Sequence, residues 1–244
     1  MESGITLKRF SQVFKGNIHK RSRTASGTSD VSSTPGKKKL LLDGNDLASQ
    51  VERNTDNLIK LIWHDFEDCS APLSPENIRS RMEHWYDVIN HNLQDADAYA
   101  DEREKYIVRA QHLKVATRRN YRINNRYRLA TPKYLIEKGV AVYPIVELEF
   151  QMDYFYQDLS DLLKNRKMTL PQLLAFADMQ IDGKIHPWVD GCGRVATALV
   201  MWLALWCDQV LPIFGNRDEH YSAIKANDEE AHVNYYNRCL NRQA

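Results

Sequence analysis

His186, Asp190 and Arg194 fall within nine residues, around a Gly191-Cys192-Gly193 turn that opens a strongly apolar run. An imidazole titrates in the range needed to take a proton from a hydroxyl. A carboxylate can hold a divalent cation, and an arginine presents a planar fork to phosphate oxygens. A turn that leads into a helix aims several backbone N–H groups at one spot, where the helix dipole also favours negative charge. Glycine supplies the positive φ and the close backbone approach that such a turn demands. Base, acid, anion cradle and cation are together the parts needed to handle a nucleotide phosphate.

The chemistry these residues suggest is transfer of part of a nucleotide to a hydroxyl on another protein. His186 is the candidate base. Asp190 is the candidate ligand for magnesium, which needs only one or two carboxylates beside substrate oxygens. The N–H groups of Gly191, Cys192 and Gly193, with the Arg194 guanidinium, are the candidate phosphate-binding groups. Each residue also has a plainer reading: a structural histidine, an exposed loop aspartate, an ordinary glycine turn. A G-x-G pair is weak by itself, and the GxxxxGK[ST] pattern is absent from the chain. Cys192 adds a different option. A thiol ahead of a helix N-terminus and near Arg194 can have a lowered pKa and act as a nucleophile or redox switch.

The string His186-Pro187-Trp188-Val189-Asp190-Gly191-Cys192-Gly193-Arg194 resembles the signature of the Fic family, H-P-F-x-(D/E)-G-N-G-R-x-x-R. Trp188 stands for the family Phe, Cys192 for its Asn and Thr197 for its second Arg. Upstream, Leu170–Ile185 is similar to the family's helix and connector before the His. Downstream, Leu211–Ile224 is similar to its following segment, with the R-x-x-x-Y-x-x-A spacing. The resemblance covers roughly residues 120 to 240.

It implies a mainly α fold, a Fic-like helical bundle with a small β-hairpin flap that lays the target segment beside the active site. It also implies a magnesium-dependent transferase, by default moving AMP from ATP to a Ser, Thr or Tyr of a target protein. Other members move UMP, phosphocholine or a phosphoryl group. Tyr221, in the stretch similar to the one that closes over the nucleotide, is implied to pack on the base. The departures weaken this. Cysteine is a poorer donor than asparagine, and Thr197 removes a cation that would meet the far phosphate. A different donor, or a catalytically weak protein-binding module on the same fold, is the alternative. The inhibitory (S/T)-x-x-x-E-(G/N) pattern of some members ends here in Glu76-Asn77 but has Pro72 in place of the hydroxyl residue, so that form of self-inhibition is not expected.

The 244 residues suffice for one sizeable domain plus an appendage. A net charge of +1, from 33 basic and 32 acidic residues, gives no global reason to expect nucleic-acid or membrane binding. Four cysteines (Cys69, Cys192, Cys207, Cys239) lack CxxC spacing, which suits a reducing, cytoplasmic setting. No secretory signal is visible, and the apolar run Val195–Cys207 is too short to span a bilayer.

The chain divides into residues 1–39, a Ser/Thr/Lys-rich tail expected to be disordered; 40–117, an N-terminal helical region; and 118–244, the Fic-like core. Composition over residues 16–39 carries the disorder expectation. A tail of this kind is either a linker or a targeting segment such as injected effectors carry. Helical spacing of Leu58, Ile59, Ile62 and Phe66 predicts a helix over 44–67. Ser74-Pro75 reads as an N-cap and first turn of a helix to about Asn92, burying Met82, Trp85, Tyr86 and Ile89. Further helices are expected over 97–116, 144–163 and 171–180, and a central buried one from Val195. Residues 128–143 read as a short hairpin. Lys114–Arg128 holds six basic residues interleaved with Tyr121 and Tyr127, a solvated face or a docking strip.

Overall fold

The computed structural model describes residues 5–21, 44–68, 73–91, 143, 147–188, 191–225 and 228–242. These residues are mainly helical, as the apolar periodicity predicts. The order is α1 (Leu7–Arg21), α2 (Gly44–Glu67), α3 (Pro75–Ile89), α4 (Leu148–Asn165) and α5 (Leu170–Asp178). A π-helical turn (Met179–Ile185) follows, then α6 (Cys192–Asp208), α7 (Arg217–Lys225) and α8 (Glu229–Asn241). All of the expected hairpin but its last residue, Tyr143, the 97–116 helix, the basic segment 114–128 and Asp190 lie outside the described residues.

Helix α6 is the axis of the fold. Every residue from Val195 to Leu205 is buried, because the run is apolar on all sides and is covered by α1, α2, α3 and α5. Each fully buried large side chain contributes about 1.5–3 kcal/mol. Trp202 meets Trp85 of α3 edge-on at 6.1 Å and stacks on Trp206 at 5.6 Å. Helix α8 packs on α5 and on α7.

Helix α3 starts and buries itself as its sequence dictates. Ser74 is extended (φ −78°, ψ 156°) and its hydroxyl accepts from the Asn77 N–H at 3.3 Å, with Pro75 in the first turn. Met82, Trp85, Tyr86 and Ile89 are all buried. The helix ends at Ile89 rather than Asn92: Asn54 of α2 donates to the carbonyls of Ile89 (2.9 Å) and His91 (2.8 Å), and so caps the end.

One expectation is corrected. The segment 1–39 is not disordered throughout, because residues 7–21 form α1. Phe10, Phe14 and Ile18 recur every four residues and are buried in the core, a stripe that averaged composition conceals. Asn17 fixes the helix to the chain after α6. Its amide donates to Pro212 O (2.8 Å), and its carbonyl accepts from Phe214 N–H (2.9 Å).

Candidate functional site

The π-helical turn Met179–Ile185 delivers His186 to the head of α6. His186 takes a left-handed conformation (φ 43°, ψ 61°) that residues with a Cβ adopt only at a cost. Its Nδ1 lies 3.0 Å from the Asp182 carbonyl oxygen and 3.7 Å from the Asp182 Oδ1. A carbonyl can only accept, so in the neutral ring Nδ1 carries the proton and Nε2 is the basic nitrogen. The imidazole is 1% exposed. Burial pushes the Asp182 carboxyl upward, with the nearby Asp178 adding to the effect.

Gly191 is the N-cap of α6 with φ 91°, and an added Cβ would come within 2.9 Å of Asn90 Nδ2. Only glycine meets both conditions. Cys192 is buried, and its Sγ lies 3.3 Å from both the N and the O of Trp188. The thiol therefore ties the first residue of α6 to the Trp188 backbone, while Trp188 stacks on Tyr86 at 4.7 Å. An enclosed thiol is poorly placed to act as a nucleophile.

Arg194 is half-buried and reaches back to the end of α3, with Nη2 3.3 Å from Asn90 Oδ1 and Nη1 3.5 Å from Ile89 O. A cation at a helix C-terminus is favourably placed. Tyr221 is half-buried, with the Arg217 guanidinium 5.0 Å above its ring, and burial pushes its hydroxyl upward. The structure thus gathers His186, Gly191, Cys192, Gly193 and Arg194 around the start of α6. Asp190, the carboxylate assigned to magnesium, is outside the described residues.

Beneath this turn lies a group that sequence reasoning missed. Asp178, at the end of α5, is fully buried with His220 of α7 and His232 of α8. Its Oδ2 is 2.7 Å from His220 Nε2, 3.1 Å from His232 Nε2 and 2.9 Å from Arg21 Nη2. Arg21 Nη1 lies 2.9 Å from Oδ1, without the alignment of a hydrogen bond. Burial alone would raise the Asp178 carboxyl, but the Arg21 charge and His220 outweigh it and hold it well below the usual carboxylate range. Burial, and then Arg21, push His220 downward. Arg21 also donates to the Tyr236 hydroxyl (3.1 Å) and to Gly193 O (3.4 Å), and sits over the Phe214 ring at 4.5 Å. Residues 21, 178, 220 and 232 are scattered through four helices, and no local sequence pattern joins them.

No protein-family model, curated protein or solved structure matches this chain. Among the described residues no helix is long and apolar enough to cross a membrane.

Proposed function

We propose that this chain is a Fic-type transferase that moves AMP, or another nucleotide-derived group, from a nucleotide donor to a hydroxyl on a target protein. The observation that carries the reading is the left-handed His186, held through Nδ1 by the Asp182 carbonyl immediately before the glycine-opened head of α6. Strained backbone at a residue with acid–base chemistry, next to a helix N-terminus, is the setting in which an imidazole and a phosphate are brought together.

In the proposed reaction His186 Nε2 takes the proton of the acceptor hydroxyl. The oxygen forms a bond to the α-phosphorus of ATP, and the bond from that phosphorus to the bridging oxygen breaks to release pyrophosphate. The backbone N–H groups at Gly191–Gly193 and the Arg194 guanidinium hold phosphate oxygens. Asp190 is the residue proposed to hold magnesium, whose charge would offset that of the phosphates.

A second reading is a binding module on the same fold with little catalysis. It is favoured by the cover over His186 and by the engagement of Arg194 with the end of α3. Calorimetric titration of the full chain with magnesium salts of ATP and UTP separates the two. Saturable binding that weakens at least about tenfold in Arg194→Ala, a loss of about 1.4 kcal/mol, supports the transferase. Absence of heat with every nucleotide supports the binding module.

A further inference from the structure

We infer that the Asp178–His220–His232 pocket is a site for one divalent transition-metal ion, such as zinc or cobalt, which competes with the Arg21 guanidinium for the same carboxylate. The three ligand atoms lie within 4.8 Å of one another and come from three different helices. Two imidazole nitrogens and a carboxylate oxygen form a set suited to zinc, iron, nickel or cobalt, not to magnesium. The pocket is therefore chemically separate from the site proposed at Asp190.

The hydrogen bonding within the pocket is in conflict, and that conflict marks it as a cation site. His220 Nε2 is 2.7 Å from Asp178 Oδ2 and 2.8 Å from Arg21 Nη2. A nitrogen carrying its proton can donate to Asp178 but then faces an N–H of Arg21. A bare nitrogen accepts from Arg21 but then turns its lone pair on the carboxylate. One close contact stays uncompensated either way, inside a buried site where such a mismatch is costly. A metal ion bound to both bare nitrogens and to Oδ2 satisfies all three atoms at once. The guanidinium neutralises Asp178 and donates to Oδ2, but it leaves Oδ1 without an aligned hydrogen bond and the His220 contact unresolved.

Arg21 is the last residue of α1, so its head group is carried by the end of a helix rather than by the centre of the core. When the metal takes the carboxylate, Arg21 also leaves Gly193 O, its contact with the head of α6. The pocket thereby connects metal occupancy to the turn on which the proposed active site is built. The metal site itself does not depend on the transferase reading.

Cobalt(II) titration of the full chain tests this by its visible d–d absorption, with zinc displacing it. The expected result is one cobalt per chain, lost in His220→Ala and in His232→Ala. Affinity should rise at least about tenfold in Arg21→Gln, where the competing charge is gone. Circular dichroism establishes that each variant is folded. If Arg21→Gln is not folded, Arg21→Lys takes its place, since it keeps a cation but loses the planar fork, and is also expected to bind more tightly than wild type. The inference is overturned by equal affinity in wild type and the folded Arg21 variant. It is equally overturned by absence of the band in both, or by a band that survives loss of the histidines. None of these readouts requires nucleotide or transferase activity, so failure here and failure of the transferase reading are told apart.

Discussion

Arg21 and Thr197 end on the same atom. The Gly193 carbonyl oxygen accepts from Thr197 Oγ1 at 2.7 Å and from Arg21 Nη1 at 3.4 Å. The threonine thus occupies a buried corner in which a guanidinium from another helix already lies. An arginine at 197 would bring a second guanidinium into this corner, where Asp178 is already engaged by Arg21 and Asp182 is the carboxylate beside Gly193. A small hydroxyl residue at this position therefore has a steric and electrostatic reason within the chain.

Thr197→Arg is expected to destabilise the fold by roughly 3 kcal/mol or more, the cost of a second guanidinium forced into a filled, buried corner beside Arg21. Thr197→Val, which loses one hydrogen bond and keeps the shape, should cost about 1 kcal/mol. Urea unfolding followed by tryptophan fluorescence distinguishes the two. Equal, small losses would contradict the crowding of this corner.

Gly191→Ala should cost roughly 1–3 kcal/mol through its left-handed backbone. Part of the loss should come from the contact with Asn90 Nδ2. Adding Asn90→Ala removes that contact, so the double variant should lose less than the sum of the single variants. Additive losses in a denaturation cycle would show that Asn90 does not press on the turn.

Removal of residues 1–21 should abolish cooperative unfolding rather than leave the fold intact. Phe10, Phe14 and Ile18 are core residues, each contributing about 1.5–3 kcal/mol. Thermal circular dichroism of the shortened chain is the check. A melting curve like that of the full chain would restore the tail interpretation for α1.

Cys207 is pushed up to about 11 by burial, with Asp208 adding to the effect. Its unfolded thiol ionises lower, so the folded state retains the proton over the interval between the two values. The sign follows: this contribution to stability is fully present below the unfolded value and is lost as pH rises through about 11. Peptide-resolved alkylation should show the native Cys207 rate still climbing with pH after that of the denatured chain has levelled. A plateau at the same pH in both would contradict the assignment.

Much of the helical framework was legible because single residues announced it. Ser74 and Pro75 set the start of α3, and Met82, Trp85, Tyr86 and Ile89 set its buried face. The continuous apolar run after Arg194 marked the central helix. Helix α1 was not legible, because lysines and a polar stretch downstream outweighed the Phe10–Phe14–Ile18 stripe in an average over composition. In the candidate site, the grouping of His186 with Gly191, Gly193 and Arg194 followed from adjacency in sequence. The closure of Cys192 on Trp188 and the turn of Arg194 toward Asn90 did not, because each depends on where the loop or α3 lies. The Arg21–Asp178–His220–His232 group was invisible for the same reason, since its members meet only when α1, α5, α7 and α8 pack.

Incubation of the full chain with ATP labelled at the α-phosphate, magnesium and a lysate of candidate targets tests the central claim most directly. The account predicts label attached to protein hydroxyls by wild type and none above background from a folded His186→Ala variant. Equal labelling by both, or none by wild type with any nucleotide donor, would contradict it.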